Sequence, residues 1–206
     1  MKTPKISEAV VRRLPVYLRY LQQLQDTRIK TVSSQELGQK LDMNPAQIRK
    51  DLAYFGEFGR KGIGYEVAYL IEKIKQILKL DRHLHVALIG AGNLGIALSN
   101  YNRYTQEKMS IVAIFDNDPD KIGQVVGQMP IRHLDELEQA VEELDIRIGI
   151  ITVPAQYAQG VADRLVQAGV KGILNFAPVS LRVPSDVNLR YADLTTELQA
   201  LAYYIE

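Results

Sequence analysis

Apolar positions along the chain change texture near residue 80. Before it they recur at helical spacing, and after it short apolar runs alternate with helical stretches. Val10, Leu14, Leu18, Leu21 and Leu24 form the first stripe. Pro15 interrupts it, so the helix core is expected at about 16–25. In "TVSSQELGQKLDMNPAQIRKDLAYFG", Ser33 and Glu36 read as a capping box, with Leu37 and Leu41 as the buried face. Asp42-Met43-Asn44 stops that helix. Asn44 caps the next one, with Pro45 in its first turn, and Ile48, Leu52 and Phe55 form its core stripe.

Two short capped helices joined by a three-residue turn predict a helix-turn-helix. Burying Ile48, Leu52 and Phe55 turns Ala46, Gln47, Arg49, Lys50 and Tyr54 outward. Gln pairs with adenine in the major groove, and Arg or Lys with guanine or phosphate. A solvated helix face in an α-helical bundle would carry the same residues. "FGRKGIGY" follows, with Gly59, Gly62 and Gly64 around Arg60 and Lys61. It reads as the basic hairpin of a winged helix, able to reach phosphates or the minor groove. The alternative is a flexible interdomain loop. A helix at about 67–79, with Val67, Leu70, Ile71, Ile74, Ile77 and Leu78 apolar, is expected to tie the wing to the second domain.

"HVALIG" reads as a strand and "GAGNLG" as a glycine-rich turn opening a helix. Gly90 permits the sharp turn, Gly92 the approach of a pyrophosphate, and Gly95 close helix–strand packing. Ala91, Asn93 and Leu94 complete the turn, whose free N–H groups would hold the diphosphate. "SIVAIFD" is a second strand ending in Asp116, 24 residues past Gly92. A carboxylate there accepts both hydroxyls of an adenine ribose and repels a 2′-phosphate, so NAD(H) is expected over NADP(H). Asp116 could instead merely begin the turn "DNDPD". "IRIGIITVP" and "KGILNFAP" are further strands around a helix at about 155–168. Their turns, Thr152-Val153-Pro154 and Asn175-Phe176-Ala177-Pro178, fall at the carboxyl ends of the strands, where such sheets bind ligands. Phe176 could pack on the nicotinamide or fill the core. Leu194, Leu198, Leu201, Ala202 and Ile205 give the last helix an apolar face needing its own domain or a second subunit. Gln124 to Leu144 carries little signature.

Charge sharpens the division. The formal net charge of +1 conceals +7 over residues 1–85 and −6 over 86–206. A basic piece joined to an acidic one points to a polyanionic partner for the first alone. The 206 residues are 47% apolar and 24% charged and contain no cysteine, which excludes disulfides and thiolate metal sites. The charged, proline-broken start is no signal peptide, and no run approaches the roughly 18 apolar residues of a spanning helix. A cytoplasmic location is expected, with no membrane contact and no metal.

An enzyme transferring hydride needs a substrate pocket and a proton-trading group. The Rossmann-like unit takes up nearly everything after residue 85. His83 and His85 are read as preceding the first strand and His133 as lying in a polar stretch, none at a strand's carboxyl end. Tyr104 and Lys108 match the Y-x-x-x-K of short-chain reductases, but follow Gly95 too directly for that role. No catalytic residue is assigned. An NAD-dependent oxidoreductase with a basic appendage is the alternative, and a DNA-binding protein controlled by coenzyme A a third reading.

"IRKDLAYFG" and "GRKGIGY", followed by "GAGNLG", "FDND", "TVPA" and "GILNFAP", resemble the Rex family of bacterial redox-sensing transcriptional repressors over nearly the full chain. The resemblance implies an α/β protein: a winged-helix DNA-binding domain over 1–80, a Rossmann-like NAD(H)-binding domain over 81–190, and a C-terminal helix over 191–206 swapped in a homodimer. It implies binding of a palindromic double-stranded operator and release by NADH, with NAD⁺ permitting or favouring binding. It also implies that Arg19, Tyr101 and Asp193 couple cofactor state to domain orientation. Arg19 could equally be a surface residue, Tyr101 a helix-packing one and Asp193 a helix cap.

Overall fold

The computed structural model describes residues 6–56, 58–60, 63–102 and 108–205, of which Arg60, Tyr101 and Asn102 are described by their backbone alone. The chain divides into two compact units, Met1–Arg82 and His83–Glu206.

In the first unit α1 spans Glu8–Asp26 and runs straight through Pro15. The expected start near residue 16 is therefore wrong by two turns. Ser7 caps the helix, its side chain accepting from the Val10 N–H. Pro15 lies on the exposed side, while Val10, Leu14, Tyr17, Leu18, Leu21 and Leu24 are buried along one stripe on both sides of it. Continuous burial on that stripe outweighs the bond that proline cannot donate.

After β1 (Thr31–Val32), α2 covers Ser34–Leu41 and α3 covers Pro45–Ala53. Ser33 and Glu36 form the capping box, and Asp42 ends α2 in the left-handed conformation at φ 51°. Asn44 caps α3 by accepting from the Ala46 N–H at 2.8 Å. β2 (Gly59–Arg60) and β3 (Gly64–Glu66) form an antiparallel hairpin, with β1 on the other side of β3. This is a winged helix. Helix α4 (Val67–Ile77) buries Val67, Leu70, Ile71 and Ile74 in the same core as Leu14, Leu37, Ile48 and Leu52. It is thus an integral part of the first unit.

The second unit opens with β4 (Leu84–Ile89), α5 (Asn93–Asn102) and β5 (Met109–Asp116). The stretch that carried little sequence signature forms β6 (Val125–Val126), β7 (Met129–His133), a 3₁₀ turn (Leu134–Glu136) and α6 (Leu137–Glu143). Then come β8 (Ile146–Ile151), α7 (Ala155–Gln167), β9 (Gly172–Asn175), β10 (Asn188–Tyr191) and α8 (Leu194–Ala202). Among the described residues the sheet order is β10-β9-β8-β4-β5-β7-β6, parallel except for the β6–β7 pair. Ala87 and Ile89 face one apolar layer and Val86 and Leu88 the other, as a doubly covered central strand requires. The architecture is Rossmann-like. Strand order reverses beside β4, so the turn after β4 opens into the crevice where such sheets take ligands.

His85 lies within β4, as the strand reading of "HVALIG" has it and not before the strand, and His133 differs from expectation by ending β7 at the carboxyl edge, paired in register with Asp116. His133 is used there as a cap, its Nδ1 accepting from the Asp135 N–H at 3.2 Å. No described residue of α8 is buried, although its face is apolar: Leu194, Leu198 and Leu201 are 74%, 58% and 57% exposed. Among the described residues no helix is long and apolar enough to cross a membrane, and no cluster of side chains could hold a metal ion.

Candidate functional site

The turn between β4 and α5 is dictated by three glycines. Gly90 has φ 108°, and a Cβ there would lie 2.8 Å from the Thr152 carbonyl carbon. A Cβ on Gly95 would collide with the Gly90 carbonyl oxygen, so helix and strand meet only without it. A Cβ on Gly92 would meet nothing within 4 Å. At Gly92 the backbone itself faces open space. The first turn of α5, whose N–H groups have no partner within the helix, begins at the next residue.

A cleft of about 750 Å³ lies outside this turn, a size suited to a small molecule. Gly90, Gly92, Asp116, Asn117, Asp118 and Lys121 line it together with Thr152, Val153, Pro154 and Tyr157. The Thr152 hydroxyl donates to the carbonyls of Ile89 (3.0 Å) and Gly90 (2.8 Å), binding the two turns together.

Asp116 accepts from the Ala91 N–H at 2.7 Å, the Asp118 N–H at 2.9 Å and the Lys121 ammonium at 3.3 Å. Burial opposes its charge, but the Asp118 and Ala91 N–H groups and Lys121 outweigh it and hold the carboxyl below the ordinary range. Asp116 therefore does begin the turn, and it also fixes the glycine-rich loop. A carboxylate offers about four acceptor sites. Two ribose hydroxyls could be accepted only by sharing or displacing Lys121.

On the first unit, Ala46, Gln47, Arg49, Lys50 and Tyr54 are all exposed along α3 and its end. Arg49 donates to the Ser34 hydroxyl at 2.9 Å. Gln47 is partly committed inward, its Nε2 donating to Asp51 at 2.6 Å. The turn before α3 needs Gly38, where a Cβ would lie 2.5 Å from the Met43 carbonyl oxygen. Arg60 lies in β2, paired with Gly64. Lys61, and the side chain of Arg60, lie outside the described residues.

Two family models match the chain: a putative DNA-binding protein N-terminus over residues 5–53, and a CoA binding domain over residues 81–179. The redox-sensing transcriptional repressor Rex of Brevibacillus brevis is 60% identical over 204 residues, covering 99% of both chains. The chain belongs to the Rex family. A crystal structure of RSP in complex with beta-NAD+ and operator DNA superposes with a TM-score of 0.92 at 40% identity, covering 97% of this chain and 92% of that one. RSP in complex with beta-NADH gives 0.88 at 38% identity, covering 98% and 94%.

In this Rex-family chain the cleft gathers Gly90, Gly92, Asp116, Thr152, Val153 and Pro154. Ala91 is buried behind Asp116, and Asn93 and Leu94 are exposed on the first turn of α5. The turn after β9 does not line it. Asn175 is 1% exposed, its side chain donating to the Ala177 and Val179 carbonyls and accepting from the Ala177 N–H. Its polar atoms thus shape the loop. Phe176 is half-buried, Ala177 buried and Pro178 exposed. Asn117, Asp118, Lys121, Leu134 and Tyr157 line the cleft without having been singled out. "DNDPDK" held a signal for Asp118 and Lys121, since a turn straight after the Asp that ends β5 at the carboxyl edge lies over the cleft. Asp51 was missed altogether: one charged letter in an apolar stripe does not announce a buried carboxylate.

Arg19 is exposed on α1. Asp193 caps α8, accepting from the Thr195 N–H (2.9 Å), the Thr196 N–H (3.2 Å) and the Thr196 hydroxyl (2.7 Å). Tyr101 falls in the last turn of α5, with its side chain outside the described residues, as is Tyr104 of the Y-x-x-x-K match.

Proposed function

We propose that this chain is a DNA-binding repressor that senses the NADH/NAD⁺ ratio, holding operator DNA when NADH is scarce and releasing it when NADH binds. One observation carries the reading: a winged helix with an exposed Arg49–Lys50–Tyr54 face shares its chain with a glycine-turn cleft ending on Asp116. RSP, alike over almost its full length, has been crystallised with both nucleotides and with operator DNA.

In this reading residues 1–80 bind DNA, residues 81–190 bind NAD(H), and residues 191–206 join two copies into a homodimer. The unsatisfied apolar face of α8 supports the last assignment. Gln47, Arg49 and Lys50 meet the major groove, and Arg60 and Lys61 the backbone or minor groove. The Gly90–Gly95 turn holds the diphosphate, and Asp116 the adenine ribose. The apolar Val153–Pro154 turn faces the nicotinamide, where NADH and NAD⁺ differ by one charge. Arg19, Tyr101 and Asp193 pass cofactor state to the DNA-binding heads. Such a regulator acts in the cytoplasm, where bacterial DNA and NAD(H) meet.

NADH can act only by binding the DNA-incompetent dimer more tightly. A switch from 99:1 to 1:99 needs about 5.5 kcal/mol, roughly half of it from each of two sites. By linkage, operator DNA must weaken NADH binding by the same factor. The CoA binding domain match favours one competing ligand. The acidic pair Asp116 and Asp118 opposes it, because coenzyme A carries a phosphate on its ribose. Titrating operator-bound protein with NADH, NAD⁺, NADPH and coenzyme A tests the reading. Release by NADH alone among these at low concentration supports it, and release by coenzyme A alone overturns it.

A further inference from the structure

Asp51 has no exposed surface, although it belongs to the helix whose other face is turned outward. Four hydrogen bonds converge on its carboxylate. Arg13 donates through Nε at 2.6 Å and Nη2 at 2.8 Å. The Tyr17 hydroxyl donates at 2.7 Å and Gln47 Nε2 at 2.6 Å. Arg13 and Tyr17 stand one turn apart on α1, and Gln47 stands one turn before Asp51 on α3.

The chemistry of the carboxylate fixes the direction of the Gln47 amide. A carboxamide has a donor end and an acceptor end of nearly equal shape, so its neighbours decide which way it points. An ionised carboxylate only accepts. Burial opposes the Asp51 charge, but the Arg13, Tyr17 and Gln47 donors outweigh it and hold its carboxyl below the ordinary range. It therefore stays an acceptor at neutral pH. Turning the amide over would set oxygen against oxygen. The Gln47 nitrogen must face inward, leaving Oε1 and the second N–H for the exposed side.

We propose that Asp51 is a positioning residue for sequence reading, holding the Gln47 carboxamide so that it recognises adenine in the major groove. This inference rests on the DNA-binding reading above. Adenine offers an N6 donor beside an N7 acceptor, which matches an amide oxygen beside its N–H. Guanine offers two acceptors, and thymine an acceptor and a methyl group. A freely turning amide could offer both N–H groups to guanine's two acceptors, but one held by Asp51 keeps a single N–H beside its oxygen, and that oxygen would face guanine's second acceptor or the thymine methyl group.

The test uses the full-length protein and a pool of randomised duplexes, selected by the parent and then scored for every single-base change. Q47A should lose discrimination at one base pair of each half-site, where the parent prefers adenine by roughly five- to a hundredfold. D51N, whose amide can both donate and accept, should flatten the same base pair. It should add nothing to that profile in a Q47A background. The salt dependence of binding to unrelated duplex should stay that of the parent. A Q47-dependent preference for guanine or thymine, or for no base, overturns the proposal. So does a D51N protein that binds all duplexes more weakly with the parent's profile intact, which is the mark of a merely structural residue. Failure of the parent to select any duplex overturns the DNA-binding reading itself. Should D51N not fold by circular dichroism, the Gln47 side-chain amide of the ¹⁵N-labelled parent decides. A held amide shows a downfield proton protected from exchange, and random-coil shifts with fast exchange contradict the proposal.

Discussion

A methyl group added at Gly95 would run into the Gly90 carbonyl and lie 3.0 Å from Leu88 Cδ2. G95A should therefore destabilise the second unit by about 1–3 kcal/mol, as overpacking does, and weaken NADH binding while operator affinity in its absence is kept. Calorimetry with an NADH titration checks both. Lys121 complicates what Asp116 alone would do. It lies 3.3 Å from Asp116 and 3.4 Å from Asp118, and its positive charge favours a 2′-phosphate that the two carboxylates repel. K121A should widen the preference for NADH over NADPH, measured as the ratio of concentrations that release DNA; a narrowed ratio would remove Lys121 from the ribose side. Asp51 carries a pH signature. Its carboxyl is depressed in the folded protein, so its contribution is present above the ordinary carboxylate value of about 4. It is lost as pH falls through the depressed value. Melting of the first unit should hold level from about pH 7 to 5 and fall below about pH 4. D51A, which strands Arg13, should cost about 3–5 kcal/mol at neutral pH.

At the scale of elements, α1 shows packing overruling local preference. Pro15 stands on its exposed side and forfeits one backbone bond. P15A should raise stability by about 2–3 kcal/mol, the helix gain of about 3 being reduced by at most about 1 through the freer unfolded chain; denaturant unfolding measures it. G38A should do the opposite, because its Cβ would meet the Met43 carbonyl at 2.5 Å and force α2 from α3. Operator affinity should fall sharply with NADH binding unchanged. The capped helices, the glycine turn and the long strands were legible because each is specified by neighbours in sequence: Ser33 with Glu36, Asn44 with Pro45, Gly90 with Gly95. What escaped depends on partners far along the chain. β7 exists because Ile131 and His133 pair with Ile114 and Asp116, and β10 because it lies beside β9. Asn175 looked like a ligand contact, yet its amide is consumed by its own loop. Asp51 became visible only once α1 was laid across α3.

The whole molecule joins a basic, DNA-facing unit to an acidic, nucleotide-facing one, and ends in an apolar helix with no buried residue. Leu194, Leu198, Leu201, Tyr203, Tyr204 and Ile205 range from 57% to 86% exposed, and a run of exposed apolar side chains of this kind marks an interaction surface. L198D/L201D should convert a dimer into monomers in analytical ultracentrifugation, with loss of operator binding, since two heads are needed to span a palindrome. The most direct test of the central claim is one titration, following fluorescence anisotropy of labelled operator and absorbance at the nicotinamide band as NADH is added. Release of the duplex with the NADH absorbance undiminished, and no release by NAD⁺ at the same concentration, is the result predicted here. A duplex that stays bound at saturating NADH, or NADH that is consumed, would contradict it.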